Sequence, residues 1–404
     1  MSKLKRLRSV ADYDQARKAA AAERNAYETR ISIGCTTCSA ADGPALLEAF
    51  RSELARRGLA GKVLVRLSGC HGFCAQGPLV VFVPHRICYV KVKASDAQAI
   101  VEETVLKNNV IERLLYREPK TGQRCQLESQ IPFYKRQLRL IMDYNKRIDP
   151  CDVRSYLAID GYEAVIKALT RMSAEDVILE LKNAGLRGRG GAGFPTGYKW
   201  EFCRKAKGGP KYVICNADEG DPGAYMDRSV MESNPHSVLE GMIIGAYAIG
   251  ASEGYVYVRN EYPLAVKHVK RAIAEAYELG FLGKNILGTG FDFDLRVERG
   301  AGAFVCGEET ALIASIEGRR GEPRQRPPFP ATQGLFGKPT NINNVETWAN
   351  VPLIITRGGS WYSHFGTRFS KGTKIFSLVG KVRNTGLVEV AMGSTFREII
   401  YDIG

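Results

Sequence analysis

Two short cysteine loops constrain this chain more than any other feature. Cys35 and Cys38 stand in GCTTC, and Cys70 and Cys74 stand in GCHGFC. Each pair follows a run that reads as a β-strand, RISIG before the first and KVLVRLS before the second. Between the loops lies PALLEAFRSELARRG, whose apolar residues recur at helical spacing. Strand, loop, helix, strand and loop make a βαβ unit, which brings both cysteine loops to one end of a small sheet. PLVVFVP and ICYVKV read as two further strands and SDAQAIVEETVLKN as a helix, completing a small α/β domain over residues 30–116.

Four converging thiolates suit tetrahedral zinc or an iron-sulfur cluster. Zinc ribbons favour two tight C-x2-C hairpins, whereas the second pair here is C-x3-C in a loop of glycine and apolar residues. That setting favours a 2Fe-2S cluster over zinc, with inert thiols as the third reading. The other six of the ten cysteines, Cys88, Cys125, Cys151, Cys203, Cys215 and Cys306, are scattered and read as small core residues. The five histidines, His71, His85, His236, His268 and His364, show no ligand spacing.

The opening MSKLKRLRSV lacks an apolar segment, so no secretory signal is expected and a cytoplasmic location follows. The longest apolar candidate, GMIIGAYAIGA, is too short for a membrane span. The formal charge of +14 fits nucleic acid, a membrane surface, or an anionic cofactor or partner. With no basic and aromatic binding module present, nucleic acid is not expected.

The expected organisation is an α/β multidomain chain. Residues 1–29 form a helical arm, 117–150 a connector, 151–370 a larger α/β domain, and 371–404 the start of a strand-rich unit that reads as incomplete. The larger domain holds GLRGRGGAGFPTGYKW, in which Gly188, Gly190 and Gly193 spell G-x-G-x-x-G. A Rossmann loop must follow a strand. Here Ser173 to Ala184 reads as a helix, with an S-x-x-D capping signature and Val177, Ile178, Leu181 and Ala184 on one face, so the ordinary Rossmann reading fails. What survives is a glycine-dense loop able to approach an anion or a flat ring, or else a tight turn, followed by a helix carrying Lys199 and Arg204.

Three further stretches accompany it. VICNADEGDPGAYMDR ends a strand with Asn216, Asp218, Glu219 and Asp221, where an open α/β sheet places its ligand sites. GAGAFVCGEETALIASIEG puts Gly307, Glu308 and Glu309 at a strand-to-helix junction, where carboxylates also serve as caps. KPTNINNVETWAN offers Asn341, Asn343 and Asn344 near the start of another helix.

These four stretches resemble the flavin- and nicotinamide-binding core of the NADH-binding subunit of respiratory complex I and its relatives, including diaphorase subunits of NAD-dependent hydrogenases and formate dehydrogenases. The run Ile31 to Val92, with GCHGFCAQGPLVVFVP at its centre, is similar to their thioredoxin-like 2Fe-2S ferredoxin domain. The resemblance implies a thioredoxin-like domain, a non-standard Rossmann-like FMN/NADH domain, and the start of a β-grasp (SLBB-like) unit. It implies that Gly188, Arg189, Gly190, Lys199, Asn216, Asp218, Glu219, Gly307, Glu308, Asn343 and Asn344 surround FMN. It further implies that Phe194, Phe202, Asp221, Glu309 and Phe329 face NADH, and that Cys35, Cys38, Cys70 and Cys74 hold the 2Fe-2S cluster.

The chain departs from the family pattern in four places: C-x2-C for the usual C-x4-C in the first pair, Phe304 for a Tyr, Asp221 for a Glu, and no C-x2-C-x2-C motif for the family's 4Fe-4S cluster. The last departure implies a fragment or an altered electron exit. The implied activity is hydride transfer from NADH to FMN and one-electron transfer to iron-sulfur clusters. No catalytic side chain is needed, because the cofactor carries the chemistry. Implied partners are a thioredoxin-like 2Fe-2S subunit and a hydrogenase or formate dehydrogenase catalytic subunit; the alternative is an electron-transfer scaffold without FMN.

Overall fold

The computed structural model describes residues 5–37 and 42–404. The fold is mixed α/β, with parallel and antiparallel sheets, and the chain divides into two compact units. One comprises Ala19–Ile159, Ile375–Val390 and Ser394–Gly404; the other comprises the N-terminal stretch to Lys18, Asp160–Lys374 and Ala391–Gly393.

In the first of these, strands β1 (Thr29–Gly34), β2 (Val63–Ser68), β3 (Val80–Val83) and β4 (Cys88–Tyr89) lie in the order β2-β1-β3-β4. β1 runs parallel to β2 and antiparallel to β3. The crossover between the parallel pair is the helix Asp42–Arg56, whose Leu46, Phe50 and Leu54 are buried with Ile31, Ile33, Val63, Val65 and Phe82. Strand side chains alternate in direction, so Val81 and Cys88 enter a second cluster with Phe73, Phe133 and Tyr134.

Two sequence expectations are corrected here. ICYVKV is a strand only at Cys88–Tyr89, because the Val90 amide turns to the Leu114 carbonyl and Lys91 takes a left-handed φ of 52°. SDAQAIVEETVLKN is not one α-helix: it is α-helical at Ala97–Ile100 and π-helical at Val101–Leu106. A hairpin of β5 (Tyr116–Arg117) and β6 (Arg124–Cys125) follows.

The other unit is built on four parallel strands, β7 (Tyr212–Ala217), β8 (Glu253–Arg259), β9 (Asp294–Gly300) and β10 (Thr340–Asn344), in the order β10-β7-β8-β9. Tyr212 to Cys215 of β7 are all buried, as expected for a parallel strand covered on both faces. The helices Pro235–Ile249 and Val345–Arg357 pack closely because Gly241 has no side chain. A Cβ there would lie 2.1 Å from the Trp348 carbonyl oxygen.

The last strands are β11 (Thr373–Leu378) and β12 (Gly386–Ala391). On β12 the fully buried Glu389 carboxylate accepts hydrogen bonds from the amides of Leu140, Ile141 and Met142, at 2.9–3.1 Å. This fastens the segment before residue 150 to a strand about 250 positions later in the chain. Glu389→Ala should destabilise the protein by about 3 kcal/mol or more, since each buried amide left without an acceptor costs about 1–3 kcal/mol. Chemical denaturation measures it, and a midpoint equal to the parent's would contradict the role.

Candidate functional site

Parallel strands that end together leave a crevice at their carboxyl ends. Asn216 at the end of β7 is paired in register with Asn344 at the end of β10, and Asp218 and Glu219 follow directly. The glycine loop joins the helices Ala174–Ala184 and Thr196–Lys205. The capping box of Ser173 and Asp176 is formed, and Gly185 closes the first helix in a left-handed conformation. The loop therefore follows a helix, as the local pattern predicts.

The base of the loop is closed by the Gly188 amide on the Phe194 carbonyl (2.9 Å) and the Thr196 amide on the Leu186 carbonyl (2.8 Å). Its outer side is bare. Nothing lies within 4 Å of a Cβ built at Gly191 or Gly193, and one at Gly190 would come 3.2 Å from Asn344 Cβ. An exposed, side-chain-free main chain beside polar strand ends is a cradle that a flat ring or a phosphate fits.

Arg189 is turned the other way. It is 4% exposed, and its guanidinium donates to the carbonyls of Thr373 (2.9 Å), Arg187 (2.9 Å) and Lys371 (2.6 Å) and to the Tyr362 hydroxyl (3.2 Å). Its amide donates to Thr347 Oγ1 at 2.9 Å. Any contribution of this residue to a ligand comes through the shape of the loop rather than the guanidinium.

The polar residues are similarly organised. Asn216 Nδ2 donates to the Gly307 carbonyl (2.8 Å), and Asn216 Oδ1 accepts from the Asp218 amide (3.0 Å). Burial pushes the Asp218 carboxyl above its ordinary value, although Arg259 at 3.1 Å opposes the shift. The Glu219 carboxylate accepts from the amides of Asp227 and Arg228, each at 3.1 Å. Burial raises both Glu219 and Asp227; the proximity of Glu219 adds to the rise at Asp227. Asn344 Nδ2 donates to Asp227 Oδ2 at 2.5 Å. Asn343 Oδ1 accepts from Trp200 Nε1 (2.9 Å) and Asn341 Nδ2 (2.8 Å).

Glu308 caps the helix Glu309–Ile316, its Oε2 accepting from the Thr310 and Ala311 amides. Lys199 donates to the Ile342 carbonyl (2.7 Å) and to Glu309 (3.2 Å), whose other oxygen takes Arg326 at 2.8 Å. Burial alone would raise the Glu309 carboxyl, but these two cations outweigh it and hold it below its ordinary value. Asp221 is exposed.

Phe194, Tyr198, Phe202, Phe304 and Phe329 stand open to solvent. Phe194 and Phe202 have ring centroids 6.4 Å apart. Phe329 caps the short helix Pro330–Gln333, which packs on the helix bearing Phe202. The Phe304 ring lies against Gly220, where a Cβ would be 2.7 Å away. The exposed rings of Phe194 and Phe202, with the Phe329 helix packed beside them, signal a surface that something covers. Sequence reasoning missed Thr347, Arg259, Asp227 and Tyr262, which position the loop and the acids, although Thr347 stood within KPTNINNVETWAN and Asp227 within VICNADEGDPGAYMDR.

In the other unit, Cys35 follows β1 and Cys70 follows β2, at one end of the sheet as expected. Cys70 and Cys74 line a small cavity with Gly34, Thr36, His71 and Leu79. The Gly72 amide donates to Cys70 Sγ at 3.2 Å, a contact that stabilises a thiolate. Cys38 lies outside the described residues. Among the described residues no group of three or more candidate ligands is assembled as a metal site. His71 is buried against Ser68, and burial pushes it down to about 4, so it is neutral at physiological pH.

An open parallel sheet, polar loops at its carboxyl ends and a bare glycine cradle place this chain among mixed α/β proteins with a candidate nucleotide site at the strand ends. Residues 181–353 match the Nuo51 FMN-binding domain, and that stretch belongs to this family. The chain is 58% identical over 270 residues to the NADP-reducing hydrogenase subunit HndC of Solidesulfovibrio fructosivorans, covering 67% of this chain and 55% of that protein. It is 52% identical over 254 residues to the F subunit of the NADH-quinone oxidoreductase of Salmonella typhimurium, covering 63% and 57%. The chain thus spans somewhat over half the length of these relatives. Its fold is similar to a solved structure of NAD+-reducing NiFe hydrogenase, with a TM-score of 0.59 and 28% identity, covering 99% of this chain and 70% of that one. No helix among the described residues is long and apolar enough to cross a membrane.

Proposed function

We propose that the chain is the NADH-oxidising, FMN-binding subunit of a larger redox assembly and passes electrons singly toward iron-sulfur centres. The observation that carries this reading is the bare glycine loop set against the ends of β7 and β10 within a Nuo51 FMN-binding domain. Bound FMN would supply the conversion between hydride transfer and single-electron transfer.

The protein's own part is positioning. Gly188, Arg189 and Gly190 offer main chain to the flavin, and Lys199, Asn216, Asp218, Glu219, Gly307, Glu308, Asn343 and Asn344 complete its site. Phe194, Phe202 and Phe329 give the dinucleotide apolar faces for stacking and exclude water. Glu309, kept ionised by Lys199 and Arg326, is suited to accept ribose hydroxyls, and the exposed Asp221 is assigned to the dinucleotide with it. No side chain is assigned proton transfer.

The finer architecture belongs to the same proposal. Residues 30–116 are read as a thioredoxin-like 2Fe-2S domain, supported by the order β2-β1-β3-β4 and by cysteines at two strand ends. Residues 151–370 are the FMN- and NADH-binding domain, 117–150 the connector, and 371–404 the start of a β-grasp-like domain. Partners are further redox subunits of hydrogenase or formate dehydrogenase type, and the location is cytoplasmic.

Reconstituted protein should hold about one FMN per chain, reduce an artificial acceptor with NADH, and give a 2Fe-2S paramagnetic signal on reduction. Cys70→Ser and Cys74→Ser should each abolish or reshape that signal while leaving bound flavin unchanged. A signal identical to the parent's in both variants refutes the ligand assignment, and failure to bind FMN refutes the main reading.

A further inference from the structure

We propose that a basic groove beside the second cysteine loop is a docking surface for an acidic one-electron carrier protein. The groove, of about 620 Å³, is lined by the exposed cations Lys91, Lys93, Arg113, Arg117 and Arg383. Its one acid, Asp96, is buried and already paired with Arg113 at 2.7 Å. Among the described residues no carboxylate forms an ion pair with Lys91, Lys93 or Arg383, so their charge faces outward. Same-sign charge in a cleft focuses the field and captures partners of opposite sign.

The position of the groove indicates what kind of partner it serves. Gln76, two residues beyond Cys74, is part of the lining, and its carbonyl accepts the Lys91 amide at 2.9 Å. The Ala75 amide donates to the Thr385 carbonyl at 2.9 Å, two residues from Arg383. The cationic rim is therefore tied by main-chain hydrogen bonds to the loop that bears Cys74. A partner seated there lies beside the proposed cluster, so the inference rests on the 2Fe-2S reading for its purpose though not for its binding.

Other anions fit less well. Tyr116, the aromatic ring of the lining, is 4% exposed and has no face on which a base could stack. The lining also lacks the glycine-rich main chain of a phosphate nest. Long cationic stems around an open groove suit a broad acidic protein surface.

The test is titration of the holo-protein with an acidic plant-type 2Fe-2S ferredoxin, followed by isothermal calorimetry at low and high salt. Binding should weaken at least about tenfold as ionic strength rises from about 0.01 M to about 0.15 M, over which the screening length falls from about 30 Å to about 8 Å. The groove variant K93E/R383E should weaken it by about tenfold or more at low salt, while R51E/K62E, an equal charge change outside the groove, should leave it within about twofold. Equal loss in both variants, or no loss in either, overturns the proposal. So does a short DNA duplex bound at the groove as tightly as the ferredoxin. Because the readout is binding, a protein that docks the carrier but shows no 2Fe-2S signal would refute the cluster reading alone.

Discussion

Gly190→Val is expected to yield a folded protein that no longer retains FMN. Gly190 is exposed and is not in the left-handed region, so its backbone accepts a side chain without strain. What a side chain would remove is space: the first carbon already stands 3.2 Å from Asn344 Cβ, and the valine methyls would occupy the bare side of the loop. Displacing a ring from such a cradle should cost about 3 kcal/mol or more, which is about a hundredfold or more in Kd. The flavin-to-protein ratio after gel filtration reads the loss, and the circular dichroism melt checks that the fold persists. Gly191 is the contrasting position. At φ 110° it resists any Cβ, so Gly191→Val should lose stability, by about 1–2 kcal/mol. Full flavin retention by Gly190→Val would remove the cradle from the mechanism.

Arg189→Met should impair folding and flavin binding together. The guanidinium is buried among three carbonyls and a hydroxyl, which compensate its desolvation by hydrogen bonding. Methionine keeps much of the volume but none of the donors, leaving the Thr373, Lys371 and Arg187 carbonyls without that partner. The expected loss is about 3–5 kcal/mol, or a fall in Tm of about 10 °C. Arg189→Lys should fall between the two, because one ammonium cannot span acceptors that the planar fork reaches in several directions. A Tm within about 2 °C of the parent in Arg189→Met would show that the loop does not depend on this anchor.

Features encoded over a few residues were legible. The helix before the glycine loop follows from Ser173, Asp176 and the apolar spacing that ends at Ala184, all within one helix. The placement of Cys35 and Cys70 at one sheet end follows from two strands and a crossover. Elements whose stability comes from elsewhere were harder to read. TNINN has poor strand propensity, yet it forms β10 because it pairs with β7 and because Trp200 and Asp227 satisfy its asparagines. Likewise, nothing in EETVL distinguishes a π-helix from an α-helix.

Residue types and spacing by themselves determined that a glycine loop follows a helix, that Cys35 and Cys70 follow strand ends, and that polar residues gather where strands stop. These are local matters of propensity, capping and periodicity. Only the tertiary structure decided that Arg189 anchors the loop from within and that Asp227 holds Asn344. Each depends on where a buried donor finds its acceptor, and both join residues more than a hundred positions apart. Burial makes an unmet hydrogen bond costly, so the completed fold, rather than the local sequence, sets those partnerships.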